Sequence, residues 1–267
     1  MIVHNFSPIF IDFGFFQIRW YSIAYILGIA LGWWAANKII KKNNIYEDRG
    51  ITTKVFDDLI IYLILGIVIG GRVGYIFFYN LNYYSENFID SFKLWEGGMS
   101  FHGGLIGVIV ATIIFSKIKK INFFNLTDII ACVSPIGIFF GRIANFINGE
   151  LYGKPTIMPW AVIFPTIDNI PRHPSQIYEA ILEGGILLII IIFFAFRKNL
   201  ILRTGYISGL FLMFYSIFRM FSEIFREPDY HLGYFLNYYS MGTILSFITF
   251  IFGLLIVLNV KKNEKNN

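Results

Sequence analysis

The chain has 267 residues, 56% hydrophobic and only 15% charged, with 30 phenylalanines and a mean hydropathy of +0.63. A water-soluble domain carries nearer a quarter charged residues, so these values exclude one and describe a chain that uses lipid as its solvent. The formal net charge of +5 does not point to nucleic acid, because the basic residues are spread over short loops rather than gathered on one face.

In chain order, apolar runs of spanning length predict helices near residues 18–38, 56–80, 102–117, 128–147, 175–196, 205–225 and 238–260. The stretch before the first, MIVHNFSPIFIDFGFFQIRW, has no basic n-region and no small-residue cleavage site. That helix is therefore expected to be retained as the insertion signal. The third helix is short and glycine-rich. The fourth holds Cys132, the one cysteine, which rules out a disulfide within the chain and reads as a small buried residue. The expected fold class is all-α: a polytopic membrane protein of about seven transmembrane helices, with six or eight as the alternatives. One membrane-embedded domain is expected over residues 1–267, with a basic tail at 258–267.

Loop charges set the orientation. The loops after the first, third and fifth helices, with the tail, hold fourteen lysines and arginines, among them Lys38, Arg49, Lys117, Arg203 and Lys262. The opposite side has five: Arg19, Lys93, Lys154, Arg172 and Arg226. The N-terminus is therefore expected outside and the C-terminus in the cytoplasm. The outer segments 80–101 and 148–174 are long and rich in glycine, proline and tryptophan (Trp95, Trp160), whereas the inner loops are short. Long loops on one face of a bundle commonly build the site, so function is expected at the outer leaflet.

Three arginines remain, Arg72, Arg142 and Arg219, each within or near the outer end of a predicted helix. An arginine at the bilayer centre costs roughly 3 kcal/mol on insertion scales, so it needs a partner and usually a role. The bland alternative is snorkelling to the headgroups. Helical spacing puts Tyr215, Arg219 and Glu223 on one face, which on its own reads equally as a self-neutralising ion pair. Arg142 shares a face with Asn145, and Glu150 follows where GELYG breaks the helix. His102 lies between two glycine pairs, Gly97–Gly98 and Gly103–Gly104, which allow close backbone approach. A lone histidine at a helix start is more often structural, yet this one shares the outer face with the arginines. Cations exceed anions at that depth, beside a base titrating near neutrality. Guanidinium forks suit phosphate, and the abundant phosphate at that depth is a phospholipid headgroup.

The stretch GRIANFINGELYG, residues 141–153, resembles the signature of the prolipoprotein diacylglyceryl transferases. Gly141, Arg142, Asn145, Phe146, Asn148, Glu150 and Gly153 stand at its specified positions. RWY at 19–21, GGRVGY at 70–75, GGMSFHGG at 97–104, HPSQIYE at 173–179 and YSIFRMFSEIFREPD at 215–229 resemble the family in the same order. The resemblance implies an enzyme of the bacterial plasma (inner) membrane, with its active site toward the outer leaflet. It implies transfer of the diacylglyceryl group of phosphatidylglycerol to the lipobox cysteine beside the signal peptide of a lipoprotein precursor. A thioether forms and glycerol phosphate is released; no cofactor is expected, and no metal, since the four scattered histidines offer no ligand cluster. On this reading Arg142 and Arg219 clamp the phosphate and His102 is the candidate base for the thiol. Glu150 and Glu223 orient the arginines or bind headgroup hydroxyls, while Tyr21, Asn145, Gly153 and Tyr215 shape the lipid site. Arg72, Gly103 and Gly104 complete the expected substrate contacts.

Readings from other classes use the same arginines. An anion transporter or channel calls for internal symmetry and a polar path to the inner face, and neither is evident in the sequence. A retinal protein needs a lysine at mid-depth in the last helix, and residues 238–260 contain none. A non-catalytic lipid-binding scaffold wants the same phosphate clamp.

Overall fold

The computed structural model describes residues 2–15, 17–94, 97–228, 234–235 and 239–266. Trp95 and Asp229 lie outside the described residues. Each of the seven predicted runs is a helix. They are α1 (Trp20–Lys42), α3 (Thr53–Tyr79), α5 (Phe101–Lys119), α6 (Phe123–Asn148), a continuous helix Ser175–Arg197, α9 (Tyr206–Glu223) and α10 (Met241–Asn266). Short helices α2 (Asn44–Asp48) and α4 (Leu81–Glu86) flank α3. The helix Ser175–Arg197 is built from α7 (Ser175–Glu179) and α8 (Leu187–Ile192), with wider π-helical turns at Ala180–Ile186 and Phe193–Arg197.

Among the described residues six of these helices are long and apolar enough to cross a membrane, all but α9. The chain is an all-α polytopic membrane protein. The reason α9 stands apart is chemical. Its 18 residues bury Ser208, Ser216, Arg219, Ser222 and Glu223, while Ile217 and Phe221 point outward. That polarity is opposite to a soluble amphipathic helix, as expected where the surroundings are lipid and the polar groups must find partners inside.

The chain forms two compact units, one from residues 1–36 with 128–267 and one from 37–127. In the second unit α3 and α5 meet through glycines. Methyl groups placed on Gly66, Gly70 and Gly74 of α3 would collide with the backbone at Gly103 and Gly107 of α5. Small residues four apart let two backbones approach closely, which in lipid replaces the hydrophobic drive of a soluble core. Lys119 Nζ reaches Asp58 Oδ2 at 2.7 Å across the same helix pair.

In the first unit α1 crosses α6 at a second glycine contact, where a methyl on Gly28 would sit 3.0 Å from the Gly137 Cα. Short strands tie the N-terminus to this unit. β1 (Ile2–Val3) runs parallel to β4 (Val162–Ile163), which pairs antiparallel with β5 (Pro171–Arg172). The hairpin of β2 (Ile9–Asp12) and β3 (Gln17–Arg19) leads into α1, and β6 (Tyr234–Phe235) with β7 (Tyr239–Ser240) leads into α10. His4 is buried and its Nε2 lies 2.7 Å from the Phe146 carbonyl at the end of α6.

Asp128, fully buried on α6, caps the start of α9. Its carboxylate accepts from the Gly205 amide at 2.6 Å, the Ser208 amide at 2.8 Å and the Ser208 hydroxyl at 2.6 Å. The two amides are orphan N–H groups of a helix N-terminus, and the acid also complements the helix dipole. Charged hydrogen bonds contribute about 1.5–3 kcal/mol each and are not additive, so Asp128→Ala is expected to cost about 3 kcal/mol of stability. Thermal unfolding of the detergent-purified protein checks this. An unchanged midpoint would mean that the cap contributes nothing.

Candidate active site

Charges buried in an apolar bundle persist only when paired. In the first unit six of them form one network. Arg142 on α6 places Nη1 2.9 Å from Glu179 Oε2 and Nη2 3.1 Å from Glu183 Oε2. Arg219 on α9 places Nη1 2.7 Å from Glu179 Oε1 and 3.4 Å from Glu183 Oε1, and its Nη2 pairs with Glu223 Oε1. Arg226 completes the set, with Nη1 3.5 Å from Glu223 Oε1 and 3.9 Å from Glu179 Oε1. Glu179 and Glu183 are both 0% exposed. The Ser240 hydroxyl at the end of β7 donates to Glu223 Oε2 at 2.6 Å. Tyr215, one turn before Arg219, interacts electrostatically with both arginines and with Glu179 and Glu183.

Local sequence explains the convergence. Glu179 and Glu183 are four apart and share one helical face, as do Tyr215, Arg219 and Glu223. Gly184 brings α6 against them: a methyl there would come within 2.6 Å of Phe139 Cβ. Arg142, three residues after Phe139, is thereby set opposite the two glutamates.

A second group is formed by Asn145, Tyr21 and Glu150. The Asn145 amide lies 3.4 Å from Tyr21 Oη and 3.3 Å from Glu150 Oε1, and Asn148 donates to the same Glu150 oxygen at 3.0 Å. After α6 the backbone turns sharply, with Gly149 and Leu151 at φ of 69° and 56°. The HPSQIYE segment then ties this turn down. Gln176 donates to the Glu150 carbonyl at 2.6 Å and Ser175 to the Leu151 carbonyl at 3.0 Å.

Gly153 sits where two segments of the 149–174 loop and the chain just after α9 meet. Its amide donates to the His173 carbonyl at 3.1 Å, and its neighbours pair with 225–227 through Lys154 to Phe225 at 2.8 Å and Glu227 to Tyr152 at 3.1 Å. A side chain at Gly153 would overlap the His173 carbonyl and come within 2.8 Å of the Phe225 carbonyl. Only glycine allows three backbone segments to pass so closely, and this pairing delivers Arg226 to the network. At the rim, Arg172 pairs with Asp168 Oδ2 at 2.5 Å and lies over the Tyr152 ring at 4.9 Å. The hydrogen bond from Arg172 holds the Asp168 carboxyl below the usual carboxylate range.

The remaining expected site residues belong to the second unit. Arg72 is buried and spends its guanidinium on main-chain carbonyls: Ser91 at 2.8 Å, Asp90 at 2.6 Å, Lys93 at 3.2 Å, Gly97 at 2.6 Å and Gly98 at 3.3 Å. It therefore orders the loop that precedes α5. His102 is exposed in the first turn of α5, where the Ser100 side chain accepts from the Gly103 amide at 3.2 Å. Gly103 packs on Gly70 of α3, whereas a methyl on Gly104 would make only ordinary contact with Ile67 at 3.7 Å.

Sequence reasoning placed Arg142, Arg219, Glu223 and Tyr215 together, and they are together. It passed over Glu179, Glu183 and Arg226, and with them the balance of charge. Among the described residues the network holds three guanidinium groups and three carboxylates rather than an excess of cations. The signal was available, since two glutamates four apart in a strongly apolar helix are as anomalous as an arginine there. Arg226 was counted with the loop cations.

Known proteins resemble the chain over nearly its full length. The family model described as prolipoprotein diacylglyceryl transferase matches residues 8–259. The chain is 49% identical over 261 residues to the phosphatidylglycerol–prolipoprotein diacylglyceryl transferase of Rickettsia bellii, covering 98% of each chain. It is 49% identical over 253 residues to the protein of that name from Rickettsia canadensis, with 95% and 96% covered. With that from Rickettsia felis it shares 50% over 246 residues, with 92% and 93% covered.

Proposed function

The chain belongs to the prolipoprotein diacylglyceryl transferase family, and on that premise we propose that it transfers the diacylglyceryl group of phosphatidylglycerol to a cysteine thiol of lipoprotein precursors. The carrying observation is the convergence of Arg142 and Arg219, from two helices, on the two oxygens of one buried carboxylate at 2.9 and 2.7 Å. Two forks set to bracket a small oxyanion in a water-poor site suit the phosphate of a lipid headgroup.

The reaction is an alkyl transfer. The cysteine sulfur attacks C3 of the diacylglyceryl glycerol, a sulfur–carbon bond forms, and the carbon–oxygen bond to phosphate breaks. The electron pair leaves on that oxygen as glycerol phosphate, and the thiol proton passes to a base. Negative charge grows on the departing phosphate, and guanidinium groups already fixed by Glu179 and Glu223 stabilise it without reorganising. The nucleophile belongs to the substrate, so Cys132, which is fully buried, has no part in the step. Tyr21, Asn145 and Glu150 supply hydroxyl, amide and carboxylate groups suited to the glycerol headgroup. Arg72 keeps the loop before α5 in order, and Gly103 and Gly104 belong to the turn carrying His102.

We further propose seven spanning helices, counting α9, with the N-terminus outside and the C-terminus in the cytoplasm. The site then opens toward the outer leaflet of the bacterial inner membrane, where a signal peptide presents its lipobox cysteine. Loop lysines and arginines support this orientation.

His102 is the proposed base. General bases contribute about 10²–10⁴-fold, so His102→Gln is expected to slow transfer by about a hundredfold or more while phosphatidylglycerol binding is retained. Lost binding would assign His102 to lipid positioning instead. The proposed activity itself is tested with purified protein, phosphatidylglycerol and a lipobox peptide, read by mass spectrometry. A mass gain of one diacylglyceryl group that disappears with a cysteine-to-serine peptide supports it. No gain, with the lipid still bound, would favour a scaffold or transporter.

A further inference from the structure

Among the described residues three guanidinium groups face three carboxylates, a set that is formally neutral with all six ionised before any lipid arrives. A phosphodiester brings one more negative charge into a buried site, and an uncompensated charge there is strongly disfavoured. One carboxylate must therefore give way or take up a proton.

The three are not held alike. Glu179 bridges Arg142 and Arg219 at 2.9 and 2.7 Å and has Arg226 at 3.9 Å. Glu223 is gripped by Arg219, by Arg226 at 3.5 Å and by the Ser240 hydroxyl at 2.6 Å. Glu183 has only Arg142 at 3.1 Å and Arg219 at 3.4 Å, each longer than the same arginine's contact with Glu179. Its two oxygens still span the two guanidinium groups, Oε2 on one and Oε1 on the other, as the two free oxygens of a phosphodiester would. It also lies in the π-helical turn Ala180–Ile186, a departure from α-helix that recurs at functional sites.

We propose that Glu183 is an exchangeable counterion, holding the place of the lipid phosphate between Arg142 and Arg219 and accepting a proton as the phosphate displaces it. The inference rests on the proposed function above. The groups facing Glu183 are Arg142 from α6, Arg219 and Tyr215 from α9, and Glu179 from its own helix. Loss of the arginines leaves the Glu183 carboxylate beside Glu179 and a phosphate, and both neighbours favour its neutral form. Lipid binding is then linked to uptake of one proton. Where Glu183 is ionised in the free protein and neutral in the complex, affinity weakens as pH rises, by about tenfold per pH unit.

The test uses the full chain in detergent with phosphatidylglycerol and no acceptor peptide. Binding is measured between about pH 6 and 8, with calorimetry in buffers of different ionisation enthalpy to count protons. The wild type is expected to take up one proton per lipid and to bind more weakly as pH rises. Glu183→Gln, neutral at every pH, is expected to bind with no pH slope and at least as tightly as the wild type at low pH. Binding by the wild type without proton uptake overturns the proposal, and needs no variant to fold. A slope that survives in Glu183→Gln also overturns it, by assigning the proton to another group such as a histidine. No phosphatidylglycerol binding at any pH would instead refute the proposed function on which it rests.

Discussion

Replacing Arg142 with alanine is expected to reduce diacylglyceryl transfer by about 10³-fold, the upper range for removing one preorganised donor to a developing oxyanion. Two effects combine. The departing phosphate loses one of its two guanidinium forks, and Glu179 and Glu183 lose the cation that holds them at 2.9 and 3.1 Å. Arg142→Lys separates charge from geometry. A lysine is a point charge on a flexible stem and cannot address two carboxylates, or two phosphate oxygens, as a planar fork does. We therefore expect the lysine variant to remain about 10²-fold impaired while melting near the wild type. Initial rates with a lipobox peptide, beside thermal unfolding in the same detergent, decide the matter. A lysine variant of full activity would show that charge alone suffices.

The second large effect concerns stability. Glu179 is 0% exposed and lies against Arg142, Arg219 and, at longer range, Arg226. Removing one partner of a buried ionic network leaves uncompensated charge and costs about 3–5 kcal/mol. Glu179→Ala is accordingly expected to lower the melting midpoint by about 10 °C, taking 2–4 °C per kcal/mol for a chain of this size. Glu179→Gln keeps the shape and one of the two acceptor oxygens and should fall between alanine and wild type. A midpoint for the alanine variant close to wild type would mean that the arginines are satisfied without this carboxylate, contrary to its placement at the hub.

Some of this was legible in the sequence and some was not. The helices were, because a spanning run needs only local hydropathy. Arg142 and Arg219 were, because a guanidinium in an apolar run demands an explanation wherever its partner lies. The partners were harder. Glu179 stood inside a recognised motif and Glu183 just beyond it, in a helix read for its hydropathy alone, yet the rule that flagged the arginines applies equally to them. The loop after α6 was the least accessible. Gly153 is surrounded by His173 and Phe225, twenty and seventy-two residues away. No periodicity announces such pairing, because each strand segment is only a few residues long. Of the glycines around His102, read as allowing close backbone approach, Gly103 makes that approach to another helix. Gly103 and Gly107 repeat at the same four-residue interval as Gly66, Gly70 and Gly74, which is the spacing of a close helix pair, and α3 and α5 pack on it.

The cluster also shows why a conspicuous arginine is not automatically a ligand site. Arg72 and Arg142 look alike in the sequence, each a cation in an apolar helix. The guanidinium of Arg72 is spent on five carbonyls of the 90–98 loop, a task that ends with folding. Arg142 and Arg219 face carboxylates, which a second anion can replace. The distinction lies in the partner, and only the three-dimensional arrangement supplies it.

The most direct measurement is a structure of this protein bound to a non-cleavable phosphatidylglycerol analogue, read for the position of the phosphate. Phosphate oxygens are expected within charge-assisted hydrogen-bond distance of both guanidinium groups, about 2.7–2.9 Å from Arg142 and Arg219 nitrogens, with the Glu183 carboxylate displaced from between them. A phosphate bound beyond the reach of both arginines, with the Arg142–Glu179–Arg219 contacts unchanged, would contradict the assignment of this network to the lipid and leave it a purely structural device.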